Sequence, residues 1–371
     1  MNNYSKKNFF FIFLFLIFFI FVGMFNYFYD PYSIFKKNVC SVQLNNLPHK
    51  MIYPFYKLHK DSLCKNLVVG TSEIFNLFGF FPSEKLQYVY SDLPLSLNNL
   101  LTAYLDLHSE VEHVTLVFSA VYPFQHSNSF ENLYIQGQKE MNIRDWYLVL
   151  YSKEVINKII FDLIHKHFKK NSNSFRENIL ITKPHHFISL QEQEKNNKYI
   201  TKEQYLNLCN KLIKTVKQKN INCTIVIPPI HTIYYGVLYK NAKDVYNSIN
   251  DLKRWLVKQV PFIYDFSLIT KHSSLSLWDI NNIYWADFSH CTEYLSEKYK
   301  NIFLGEQADD NLDYFILTED NIEKKLQKEE LLLLDYIKNN QEIMSYYEQI
   351  SIEKGSSFDI NYSLLKKIKG D

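Results

Sequence analysis

Hydrophobic and polar positions along the chain divide it into three regimes. From Asn8 to Tyr29 there is no charged residue, and Phe9 to Phe25 is almost purely apolar on every side. A segment with no polar face, and of this length, predicts a helix that crosses a bilayer. Tyr27, Phe28 and Tyr29 would form an aromatic belt at its far end. Residues 30–65 carry Pro31, Pro48 and Pro54 and read as an irregular connector. Over residues 66–305, short apolar runs alternate with helical spacing. Strands are expected at Leu67–Val69, Gln87–Tyr90, His113–Phe118, Cys223–Ile227 and Phe262–Tyr264. Helices are expected over Leu95–Leu107, Lys202–Lys219, Val245–Val260 and Glu293–Phe303. Alternation of this kind predicts βαβ units, an α/β fold with a parallel sheet in three layers. Within it, residues 128–198 read as an insertion, helical from Trp146 to Phe168 and polar from Lys169 to Lys198, that covers one side of a site. Residues 306–371 are a charged helical tail, patterned as a helix from Ile322 to Ile350 with a cluster at Leu331–Leu334. The tail is either a packed appendage or a partner-binding helix.

Charge refines this division. The net charge of +2 says little about nucleic acid, but the lack of a basic stripe or recognition motif argues against it as a partner. Residues 306–371 hold 15 acidic and 8 basic side chains, a net of −7, which leaves +9 for the body. Lys6 and Lys7 precede the apolar segment, so the N-terminus is expected in the cytoplasm and the rest of the chain outside it. No small-x-small cleavage site precedes Asp30-Pro31, which predicts an uncleaved signal anchor in residues 1–29, single-pass in the inner membrane through residues 9–29. The five cysteines are scattered, without a CxxC pair, and this argues against a zinc cluster. Cys40 and Cys64 can pair in an oxidising compartment, while Cys209 and Cys223 lie on apolar faces and read as core. No metal or cofactor site is read from the sequence.

In a parallel sheet, chemistry gathers at the carboxyl ends of the strands. Gly70-Thr71-Ser72, Ser119, Pro228-Pro229-Ile230-His231 and Asp265-Phe266-Ser267 all stand there. After the apolar run Leu67–Val69, a glycine and two hydroxyls lead into a helix-like spacing at Phe75, Leu77 and Phe78. That junction lifts Ser72 out of the sheet beside free helix N–H groups. Far downstream, Asp287 and His290 stand three apart just before the helix at Glu293. A carboxylate there can orient an imidazole, and the imidazole can activate a serine from elsewhere in the fold. Glu73 either contacts substrate or caps the first helical turn. His231 either lines the cleft or sits in a surface loop. Trp278 and Trp285 either stack on a sugar or pack in the core. His185-His186 is read as a surface pair rather than a metal site, and His165 and His167, two apart on a helix, cannot share a face.

The blocks Val69-Gly70-Thr71-Ser72 and Asp287-Phe288-Ser289-His290, with Tyr264-Asp265-Phe266-Ser267 before the second, resemble the SGNH-type hydrolase and acyltransferase superfamily. Within it the chain is similar to the membrane-anchored branch that includes the teichoic-acid D-alanylation protein and the alginate acetylation proteins. The anchor followed by Asp30-Pro31-Tyr32 fits that branch, and the resemblance spans about residues 27–305. It implies an SGNH/flavodoxin-like fold, with Ser72 as nucleophile, His290 as general base and acid, and Asp287 as the orienting carboxylate. It further implies a cell-surface glycan acceptor and a membrane-bound partner that donates the acyl group. The superfamily places a glycine after the second strand and an asparagine after the third to complete the oxyanion hole. Here Ser91-Asp92-Leu93 and Ser119-Ala120-Val121-Tyr122 stand in those places. The remaining oxyanion and substrate-binding candidates are the Ser72 N–H with Gly70 and Thr71, then Ser119 and His231. The other reading is a non-catalytic scaffold of the same fold in a polysaccharide assembly or modification complex.

Overall fold

The computed structural model describes residues 3–30, 32, 34–35, 49–59, 65–78, 86–90, 97–119, 141–168, 202–241, 243–270, 273–274, 285, 291–303, 312–342 and 344–345. It is a mixed α/β fold around one six-stranded sheet. The strands are β1 (Asn66–Gly70), β2 (Leu86–Tyr90), β3 (His113–Val117), β4 (Asn222–Ile227), β5 (Ile263–Asp265) and β6 (Ile316–Leu317). Their order in the sheet is β2-β1-β3-β4-β5-β6. The first five are parallel and β6 runs antiparallel to β5. Buried Leu67, Val68, Val69, Val114, Leu116, Ile225 and Val226 make the central strands apolar on both faces, as a sheet covered on both sides requires.

The helices follow the spacing of apolar residues. They are α1 (Asn3–Tyr29), α2 (His49–Leu58), α3 (Phe75–Phe78), α4 (Leu97–Leu107), α5 (Ile143–Tyr151), α6 (Lys153–Phe168), α7 (Lys202–Gln218), α8 (Thr232–Asn241), α9 (Lys243–Leu256), α10 (Glu293–Phe303) and α11 (Ile322–Asn339). In α7 the buried residues are Tyr205, Leu208, Cys209, Leu212, Ile213 and Val216, a single stripe. Helix α3 packs on α10, with the Phe78 and Phe303 rings 5.5 Å apart, while α4 packs on α7.

Three expectations need correction. Residues 49–58 are helical, and Met51, Phe55 and Tyr56 are buried from that helix against the core. Burial of these side chains outweighs the hydrogen bond that Pro54 removes from the helix interior. The helix expected over Trp146–Phe168 is two helices, because Ser152 adopts an extended backbone (φ −63°, ψ 152°) that ends α5. Finally, α8 follows β4 directly after His231, where no helix was expected.

Residues 312–342 belong to the fold. β6 extends the sheet, and α11 lies on α8 and α9 with Ile322, Leu326 and Leu333 buried. Beneath α11 is an ionic cluster. Lys253 Nζ lies 2.7 Å from Asp265 Oδ2, both almost fully buried, as a close ionic contact, and donates to Ser267 Oγ at 3.0 Å. From α11, Glu329 accepts from the Tyr314 hydroxyl at 2.7 Å and from the Ile269 N–H. Burial holds the Glu329 carboxyl above the usual carboxylate range. Lys325 donates to the carbonyls of Asp313, Tyr314 and Ile316, and burial holds it below the usual lysine value.

Among the described residues, one helix is long and apolar enough to cross a membrane: α1, over Phe11–Tyr29. At the end of α1, Asp30 turns the chain at φ 42° and its carboxylate accepts the N–H groups of Ile34 and Phe35, at 2.6 and 3.0 Å. The Ile34 carbonyl in turn accepts from His59 Nε2 at the end of α2.

Candidate functional site

The strand order reverses between β1 and β3. β1 leads outward to β2, whereas β3 leads the other way to β4. The loops leaving these two strands therefore diverge and open a crevice at their carboxyl ends. Gly70-Thr71-Ser72-Glu73 leaves β1 and Ser119 follows β3.

Gly70 is required by space. A Cβ there would lie 2.6 Å from Ile74 Cγ2 and 3.0 Å from the Val117 carbonyl oxygen. The close approach lets the chain turn straight from β1 into a 3-10 turn at Ser72–Ile74 and then into α3. The Ile74 N–H bonds the Thr71 carbonyl at 3.1 Å. The backbone of Ser72 thus stands at the start of a helical segment, immediately outside the sheet; its side chain lies outside the described residues.

Glu73 is buried at the mouth of the crevice. Its carboxylate accepts from the Ser119 hydroxyl at 2.7 Å and from the Thr71 hydroxyl. Glu73 therefore ties the turn after β1 to the end of β3. Ser119 is fixed a second time, because the Tyr205 hydroxyl of α7 donates to its carbonyl at 3.1 Å. Beside the two readings of Glu73, substrate contact or helix cap, the geometry shows a third role, a joint between strand ends. The Ser119 hydroxyl has one proton, and here it is directed at Glu73.

His231 is buried at the end of β4. Its Nδ1 accepts the Ile233 N–H at 3.1 Å, so it caps the first turn of α8 and carries its proton on Nε2. The ring meets Trp285 edge-on, at 5.3 Å and 87°. Trp285 is a buried core residue. It pairs in an antiparallel bridge with Cys291. These two residues flank Asp287 and His290 in sequence. Asp287 and His290, with Trp278, Cys40, Cys64, His185 and His186, lie outside the described residues. Cys209 is buried and Cys223 half-buried, and both are free thiols. Burial pushes the Cys223 thiol up to about 11.

Four strand ends thus converge on one edge of the sheet. β1 brings Thr71, Ser72 and Glu73, and β3 brings Ser119. β4 brings His231 with Trp285 against it, and β5 brings Asp265 and Ser267. The Glu73 joint and the capping role of His231 were not legible in sequence, because both depend on neighbours that only the fold supplies. Comparison with known protein families, curated proteins and solved structures finds no match to this chain.

Proposed function

We propose that the chain is a membrane-anchored, extracytoplasmic O-acyltransferase or esterase that modifies a cell-surface glycan through Ser72, His290 and Asp287. One observation carries the reading: the Gly70-Thr71-Ser72 turn leaves β1 at the point where the strand order reverses. A second supports it. The helix that follows Ser72, α3, packs on the helix that follows His290, α10. Right-handed crossovers from β1 to β2 and from β2 to β3 put α3 and α4 on opposite faces. With α10 beside α3 and α7 beside α4, the sheet becomes the middle of three layers, as in the SGNH/flavodoxin-like arrangement.

In this mechanism Ser72 Oγ attacks the carbonyl carbon of an acyl donor while His290 takes its proton. The tetrahedral oxyanion is met by backbone N–H groups at the turn, beginning with that of Ser72. Its collapse breaks the bond to the leaving group, which receives the proton from His290, and leaves an acyl-Ser72 ester. A glycan hydroxyl, or water in an esterase, then attacks the ester. His290 takes the attacker's proton and returns it to Ser72 Oγ as the acyl group departs. Asp287 holds the imidazole in the productive tautomer. With the domain outside the cytoplasm, as Lys6 and Lys7 before the apolar run of α1 suggest, acetyl-CoA is out of reach. The acyl group then comes from a membrane-bound partner.

A second reading, the non-catalytic scaffold, is favoured by one contact: Ser119, which stands near the superfamily's oxyanion asparagine, directs its proton at Glu73. A fluorophosphonate probe separates the two. Covalent labelling of the full chain, lost in Ser72→Ala, is the expected result. A wild-type chain that takes no label overturns the enzyme reading and leaves the scaffold.

A further inference from the structure

Helices α5 and α6 meet at a corner, residues 150–154, that is built against the end of α1. Asn26, the only amide side chain among Phe11–Phe25 and its next residue, donates to the Leu150 carbonyl in the last turn of α5. That carbonyl has no partner within its own helix. A Cβ at Gly23 would run into the Tyr151 hydroxyl, and the Tyr151 ring stacks on Phe19 at 4.0 Å. The Tyr32 hydroxyl donates to the Glu154 carbonyl at 3.2 Å. Counting 1.5 Å of rise per residue back from Tyr29, Gly23 lies about 9 Å and Phe19 about 15 Å inside the span. The corner therefore reaches past the end of the apolar segment and alongside it.

The two helices continue that apolar surface. Tyr147 lies near-parallel to Tyr151, with centroids 6.2 Å apart. On α5, Ile143, Trp146 and Tyr147 are exposed by 89, 39 and 52 %. On α6, Ile156, Ile160 and Phe161 are exposed by 41, 51 and 53 %. Aromatic and aliphatic side chains on this scale are not left to water without a partner surface. The charges point to its chemistry. Asp145 is buried and ion-paired with Lys57 at 2.8 Å and Glu154 is half-buried at the start of α6, while Arg144 and Lys153 are exposed. An apolar face with tryptophan and tyrosine, bordered by exposed cations, is the composition of a helix that lies in a lipid interface.

We propose that the α5–α6 corner is embedded in the leaflet that α1 leaves, as a second, non-spanning membrane element that holds the domain down on the bilayer. The proposal rests on α1 spanning the membrane, as taken above. The test places the photo-crosslinker p-benzoylphenylalanine, one site at a time, at Ile17, Trp146, Ile160 and Lys214 of the full chain in phosphatidylcholine–phosphatidylglycerol nanodiscs. Lys214 is an exposed polar position on α7. Lipid adducts at Ile17, Trp146 and Ile160, with none at Lys214, are expected by mass spectrometry. An adduct at Ile17 alone overturns the corner and leaves the anchor intact. Adducts at none of the four overturn both. Protein cross-links at Trp146 and Ile160 in place of lipid overturn the proposal and make the face a protein interface.

Discussion

Gly70 and Glu73 show how narrowly the crevice is specified at the level of single residues. Between Ile74 and the Val117 carbonyl there is no room for a methyl group, so Gly70→Ala must push β1 from β3 or shift the turn that carries Ser72. Overpacking of this kind costs about 1–3 kcal/mol. The expected outcome is a urea midpoint lowered accordingly, together with slower fluorophosphonate labelling of Ser72. The turn from β1 into α3 was legible because an apolar run that stops at Gly-Thr-Ser has a local physical meaning. The bond from Ser119 to Glu73 was not. It joins residues 46 apart in sequence and depends on β1 and β3 being neighbours, which no local pattern states.

Among the elements, α2 shows where propensity misleads. Pro54 marked the segment as irregular, yet its residues fold as a helix because Met51, Phe55 and Tyr56 bury one face. Its last residues also carry the attachment of α1, since His59 at the end of α2 bonds the Ile34 carbonyl. Burial lowers the His59 pKa, more than the bond to Ile34 and the nearby Asp30 raise it. The folded value thus lies below the unfolded one, near 6.5. Its contribution is complete above the unfolded value and is lost as pH falls through the folded one, because the unfolded chain takes up the proton first. Thermal stability should decline from pH 7.5 to 5.5, and His59→Gln, which keeps a donor for Ile34, should flatten that decline.

For the whole molecule, the ionic cluster under α11 binds the end of the described chain to its centre. Lys253 and Asp265 are buried together beside Ser267. Asp265→Ala would leave the ammonium without its counter-charge, at a cost of about 3–5 kcal/mol. In the pair Lys253→Met with Asp265→Leu the loss should be smaller than in that single variant, and denaturant melts of the three proteins check this. The alternation of strands and helices was legible because each element has its own period. The place of residues 312–342 was not, since a two-residue strand has no period and the charged pattern of α11 is that of any half-exposed helix.

β6 is the last strand among the described residues and stands at one edge of the sheet. A chain that emerges from the ribosome or a translocon presents Ile316–Leu317 only after the other five strands. Until then, the free flank of β5 keeps unpaired N–H and C=O groups open to any other extended segment. β6 therefore acts as a hem: it closes one border of the sheet, along which unfinished copies would otherwise zip to one another.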